Sequence, residues 1–123
     1  MSDFREDNYI DTQFLAGNEK ENIKAASSIL QNNGLVAFPT ETVYGLAANA
    51  LNEDAVKKIF VAKGRPSDNP LIVHVSTPSA AEKIAYTSEL YYKLAEKFMP
   101  GPLTIILPKR DIIPSEVTAG LDT

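Results

Sequence analysis

The sequence predicts a three-layer α/β domain built on a central sheet, parallel or mixed. Three observations predict it. Stretches with helical apolar spacing alternate along the chain with short aliphatic runs of strand type. The composition, 44% hydrophobic and 23% charged, is that of a globular protein and excludes a disordered chain. The length, 123 residues, suits one domain with one core. With no cysteine, disulfides, thiolate metal sites and a cysteine nucleophile are excluded. No apolar run approaches the roughly 20 residues that span a bilayer. The first residues lack a charged-then-apolar signal layout. The expectation is a soluble, cytoplasmic protein with no membrane partner.

The elements follow in order. Asn18 with Glu21 three residues later resembles a capping box, and Ile23, Ala26 and Leu30 then recur at helical spacing until Gly34. Leu35 to Phe38 reads as a strand ended by Pro39. A second helix starts near Asn52, turns Val56, Ile59 and Phe60 inward and ends at Gly64. Residues 65–70, with two prolines, form a loop. Leu71 to Val75 reads as a buried strand. Pro78, after Ser76 or Thr77 as cap, opens a short helix through Ile84. Ser88 opens another, with Tyr91, Leu94, Ala95 and Phe98 on one face. Pro100-Gly101-Pro102 breaks it, and Leu103 to Leu107 is a further buried element. The tail from Pro108 to Thr123 shows no period and reads as loop.

Charge is distributed unevenly. Residues 1–22 carry six acids and two bases, which accounts for the whole net charge of −4. The acidic residues 1–17 read as a solvated lead-in, and the domain proper as residues 18–123. The balance argues against a protein that coats nucleic acid. Lys57, Lys58, Lys63 and Arg65 nevertheless cluster with no acid among them, and a local patch can attract an anion.

Three polar segments interrupt the apolar frame. In Pro39-Thr40-Glu41-Thr42-Val43-Tyr44-Gly45-Leu46, Thr40 and Thr42 share one side of an extended chain. Two hydroxyls there either bind a small polar ligand beyond the strand or make routine hydrogen bonds at its exit. In Lys63-Gly64-Arg65-Pro66-Ser67-Asp68-Asn69-Pro70, the two cations either complement the negative end of a helix or clamp phosphate oxygens. The segment is not a P-loop. The lone histidine, His74, shares a strand face with Ile72 and is either structural or ligand-binding. It lacks the second His or Cys that a metal site would need.

Taken together, residues 39–46, Lys63-Gly64-Arg65-Pro66, Asp68-Asn69-Pro70-Leu71-Ile72-Val73-His74 and Pro100-Gly101-Pro102-Leu103-Thr104 resemble the YrdC-like family of threonylcarbamoyl-AMP synthases. The resemblance implies a twisted mixed sheet of the YrdC/RibB-like type, α+β or mixed α/β in class. It implies a reaction in which L-threonine and bicarbonate or CO2 give a carbamate, which attacks ATP to form L-threonylcarbamoyl-AMP and pyrophosphate. By motif position it implies that Thr42 and His74 meet L-threonine. It places Arg65, Asn69, Thr123 and Lys63 on ATP, with Lys63 and Arg65 as the catalytic cations and Mg²⁺ carried by the nucleotide. The implied partner downstream is the machinery that transfers the threonylcarbamoyl group to tRNA. Two other activities fit parts of the motif set: an RNA-binding YrdC-like module, and a carbamoyl-transfer module of the hydrogenase-maturation type. The family domain continues past a segment like Ala119-Gly120-Leu121-Asp122-Thr123 into a strand bearing an arginine and a Ser-x-Asn motif. The resemblance thus covers the N-terminal part of that domain, and these 123 residues alone are expected to be inactive or weak and prone to self-association.

Overall fold

A computed structural model of the chain describes residues 11–64 and 66–123. Arg65 and most of the acidic lead-in lie outside the described residues. Helix α1 spans Lys20–Gln31. The Asn18–Glu21 capping box is not formed: Glu19 precedes the helix and makes no side-chain cap. Asn22 Nδ2 ties the entry instead, donating to the Ala16 carbonyl at 2.6 Å and to Glu19 Oε2 at 3.1 Å. The expected apolar face is only partly covered, since Ala26 and Leu30 are half-buried while Ile23 is exposed. The helix stop takes two residues. Asn33 adopts the left-handed conformation (φ 64°), and the Gly34 N–H donates to the Ile29 carbonyl at 2.8 Å. Gly34 is needed for that approach, because a Cβ there would lie 2.7 Å from Ile29 Cγ2.

Strands β1 (Val36–Phe38) and β2 (Gly45–Ala47) form an antiparallel pair, with Val36 opposite Ala47, Ala37 opposite Leu46 and Phe38 opposite Gly45. Helix α2, Glu53–Lys63, begins and ends where the sequence places it. Asn52 Oδ1 accepts from the Ala55 N–H at 2.9 Å, Glu53 and Asp54 face the positive end of the helix, and Gly64 closes it at φ 61°. A 3₁₀ helix covers Pro78–Lys83, with Thr77 at the cap position. Helix α3 spans Glu89–Phe98, and Ser88 Oγ accepts from the Tyr91 N–H at 3.1 Å. Tyr91 and Ala95 are buried as expected, but Phe98 is 51% exposed. It is the last helical residue, and its ring lies beside Lys97 Nζ rather than in the core.

The core joins α2 to the tail. Val56 and Phe60 from α2 pack with Ile113 and Val117, and Ala50, Leu71, Val73 and Ile84 close around them. The tail is therefore not a simple loop: α4, Ser115–Thr118, is one helical turn whose Val117 is 2% exposed. A single turn is too short to display a period in sequence, which hid it. The Leu71 N–H donates to the Val117 carbonyl at 2.7 Å, so the tail also anchors the chain after α2.

The mixed α/β class holds, but the sheet is small. Among the described residues the only paired strands are β1 and β2, with one isolated bridge between Ala85 and Lys109. The expected strands 71–75 and 103–107 carry no ladder, and the N–H groups of residues 72–75 and 104–107 have no partner among the described residues. A ladder needs two segments hydrogen-bonded in register, and neither run is paired in this way among the described residues.

Candidate active site

The Thr40 to Tyr44 segment is a turn rather than a straight strand exit, and Thr40 organises it. Thr40 Oγ1 accepts from the Thr42 N–H at 3.2 Å and donates its single proton to the Val43 carbonyl. It also lies 3.4 Å from Thr42 Oγ1. Because the Thr40 proton is committed to a carbonyl, Thr42 is the donor in that contact, which leaves the Thr42 oxygen lone pairs free to accept. Both threonines are exposed.

His74 is exposed too, and its tautomer follows from its contact. Nδ1 lies 3.0 Å from the Ile72 carbonyl, which can only accept, so Nδ1 carries a proton. In the neutral ring Nε2 is then a bare acceptor with no partner among the described residues. Phe38 connects this ring to the threonine turn. Its ring stands edge-on to His74, with centroids 6.5 Å apart and planes at 82°. On the β2 side it lies so close to Gly45 that a Cβ there would be 3.0 Å from Phe38 Cζ and 3.5 Å from Thr40 Cγ2. Neither residue type nor motif spacing singles out Phe38 in the sequence. The available signal was an aromatic residue immediately before the Pro39-Thr40 turn.

The cationic side is less assembled. Lys63 is exposed at the last turn of α2, with no ion pair or hydrogen bond to any described residue. Arg65 lies outside the described residues. Asn69 and Thr123 are both exposed, and no hydrogen bond joins either to Lys63. An open depression beside this loop is lined by Lys57, Phe60, Val61, Gly64, Pro66, Ser67 and Glu116, and contains none of these described candidates. The four-cation cluster is partly spent on structure. Lys57 pairs with Glu53 at 2.5 Å, an exposed i,i+4 contact that lowers the Glu53 pKa and raises that of Lys57 through their hydrogen bond. Lys58 Nζ donates to the Asn33 carbonyl at 2.9 Å. Among the described residues no group of three His, Cys, Asp or Glu side chains converges as metal ligands. No helix there is long and apolar enough to cross a membrane.

The fold is thus mixed α/β, with a Thr-Glu-Thr turn after β1, a histidine against Phe38 and a lysine at the end of α2, and comparison with known proteins gives the family. The family model for Sua5, YciO and YrdC proteins, described as "Telomere recombination", matches residues 28–123. The chain belongs to this family. The threonylcarbamoyl-AMP synthase of Pyrococcus abyssi is 53% identical over 106 residues, and that of Bacillus subtilis 54% identical over 114 residues. These matches cover 85% and 91% of this chain but 31% and 33% of the relatives, so the chain spans about a third of their length. The structure of P. abyssi Sua5 complexed with L-threonine matches with a TM-score of 0.81 at 51% identity, over 86% of this chain and 32% of that one. A protein from Methanobacterium thermoautotrophicum matches with a TM-score of 0.66 at 33% identity, over 92% of this chain and 54% of its own.

Proposed function

We propose that this chain carries the L-threonine side of a threonylcarbamoyl-AMP synthase site, together with part of its nucleotide side. The observation that carries the reading is the meeting of the Thr40–Thr42 turn and His74 at Phe38, in a chain so similar to a protein solved with L-threonine. The free acceptors at Thr42 Oγ1 and His74 Nε2 suit the donors of an amino acid, its ammonium and its hydroxyl. An acceptor on the ammonium helps chemically, because the nitrogen must lose a proton before its lone pair attacks CO2. One N–C bond then forms as a C=O π bond of CO2 opens onto oxygen, and loss of a second proton from nitrogen gives the carbamate.

The carbamate oxygen attacks the α-phosphorus of ATP, a P–O bond forms, and pyrophosphate leaves with the broken α–β bridge. Such a step needs in-line positioning and stabilisation of charge on phosphate oxygens more than covalent help. Lys63, on the rigid end of α2, and Arg65 beyond it supply cations for that purpose, with Asn69 and Thr123 as further nucleotide contacts. Mg²⁺ enters on the phosphates, as suits an ion that dehydrates reluctantly and is commonly bound through substrate phosphates. The product carries a threonylcarbamoyl group activated for transfer to tRNA.

Calorimetric titration with each ligand separately tests the assignment. His74→Ala is expected to weaken L-threonine while leaving ATP unchanged, and Arg65→Ala the reverse. ATP affinity unchanged in the Arg65 variant would remove that residue from the nucleotide site.

A further inference from the structure

We propose that Phe38 is a positioning residue for His74: its ring, backed by Gly45, fixes the imidazole relative to the Thr40–Thr42 turn. The inference deepens the L-threonine reading above and rests on it for the identity of the ligand. The backbone around His74 has little support of its own. The N–H groups of residues 72–75 make no hydrogen bonds to other described residues, so no ladder sets the position of His74. The nearest backbone anchor is the Leu71 N–H on the Val117 carbonyl, three residues away. The Nδ1 contact to Ile72 fixes the ring only relative to its own segment. Among the described residues the one aromatic partner of His74 is Phe38, edge-on at 6.5 Å, within the range where such pairs attract.

Phe38 is itself held firmly. It belongs to β1, pairs with Gly45 in the antiparallel register, and is half-buried. The space it occupies exists because residue 45 has no side chain: a Cβ would come within 3.0 Å of Cζ and 3.1 Å of Cε1. The same Cβ position lies 3.5 Å from Thr40 Cγ2. Gly45 thus borders both the Phe38 ring and the threonine turn, and the Phe38 ring borders both Gly45 and His74. A change at Gly45 should reach His74 through Phe38, although no contact between Gly45 and His74 is needed.

The test reads the imidazole directly in the 123-residue chain. The proton and nitrogen resonances of the His74 ring are recorded by NMR in the parent and in Phe38→Leu, Phe38→Tyr and Gly45→Ala, with and without L-threonine. Amide signals of the Val56–Phe60 and Ile113–Val117 core serve as the folding control. Loss of the edge-on ring in Phe38→Leu is expected to move the His74 ring resonances and to lower L-threonine affinity about three- to tenfold, the scale of one aromatic pair. Phe38→Tyr is expected to restore both. Gly45→Ala is expected to move the His74 resonances while keeping Phe38 in the chain. His74 resonances unchanged in both Phe38→Leu and Gly45→Ala, with the core signals intact, would overturn the positioning role. If the parent His74 ring does not respond to L-threonine, the ligand reading fails instead, and the ring shifts without ligand still decide the positioning claim. If Phe38→Leu loses the core signals, Gly45→Ala and Phe38→Tyr decide it.

Discussion

Lys58 Nζ donates to the Asn33 carbonyl at 2.9 Å, joining the middle of α2 to the end of α1 across 25 residues of sequence. Asn33 holds the left-handed stop of α1, so its carbonyl is one that the helix itself leaves without an amide partner. Lys58 is thus a structural cation, whereas Lys63, five residues further along α2, has no partner among the described residues.

That division gives the first prediction. Lys58→Met is expected to lower stability by up to about 1 kcal/mol, the scale of a hydrogen bond to an exposed charged donor, with ATP affinity unchanged. Lys63→Met is expected to weaken ATP several-fold with no loss of stability. Urea unfolding and calorimetry on the two variants check both halves. Equal effects on ATP would mean that the cluster acts as one patch.

The second prediction concerns the tail. Val117 is 2% exposed against Val56, Phe60 and Ile113. Val117→Ala removes two methyl groups from this cluster and is expected to cost about 2 kcal/mol. Glu116→Ala, one residue earlier but only half-buried, is expected to cost a few tenths. Denaturant midpoints measure the difference, and comparable midpoints would deny the tail its place in the core.

Hydrogen exchange supplies the third. The Val56 amide donates to the cap residue Asn52 and those of residues 57–60 are bonded within α2, whereas those of residues 72–75 and 104–107 have no described partner. The first group is expected to exchange slowly and the second at close to free-chain rates. For the same reason, turnover by these 123 residues is expected to be very low, because His74 lies on an unladdered segment.

The fourth is a pH dependence. Tyr91 is buried at 3% exposure and donates from its hydroxyl to the Pro78 carbonyl at 2.7 Å. Burial, with the nearby Glu82 charge adding to it, raises its pKa above the ordinary 10.0. A raised pKa means that the folded state retains the phenol proton after the unfolded chain has lost it. The contribution is therefore complete below pH 10 and disappears as pH rises through the folded value. Tyr91→Phe is expected to remove this part of the alkaline loss of stability, followed by thermal melts from pH 9 to 12.

The sequence made some parts of this molecule legible and concealed others for physical reasons. Helix α2 was readable end to end, because Asn52, the Glu53–Asp54 pair, the Val56–Ile59–Phe60 face and Gly64 are all local signals. The β1–β2 hairpin is only half readable: Leu35 to Phe38 has the composition of a strand, whereas Gly45 to Ala47 sits at the end of a polar motif. The aliphatic runs at 71–75 and 103–107 have the composition of strands, but a ladder is a property of two segments and one run cannot report its partner. At the site, Thr42, His74 and Lys63 were visible by residue type and motif. Phe38 was not, since its role depends on a register with Gly45 and an edge contact with His74 that no spacing encodes.

The most direct test of the central claim, that this chain carries the L-threonine side of a synthase site, is an amide NMR titration of the labelled protein with L-threonine and with L-valine. Valine has the same shape without the hydroxyl, and a site built to bond that hydroxyl rejects it. Saturable shifts with L-threonine centred on Thr40, Thr42, Gly45 and His74, and little response to L-valine, are expected. No saturable shift with L-threonine, or shifts of equal size with both amino acids, would contradict the claim.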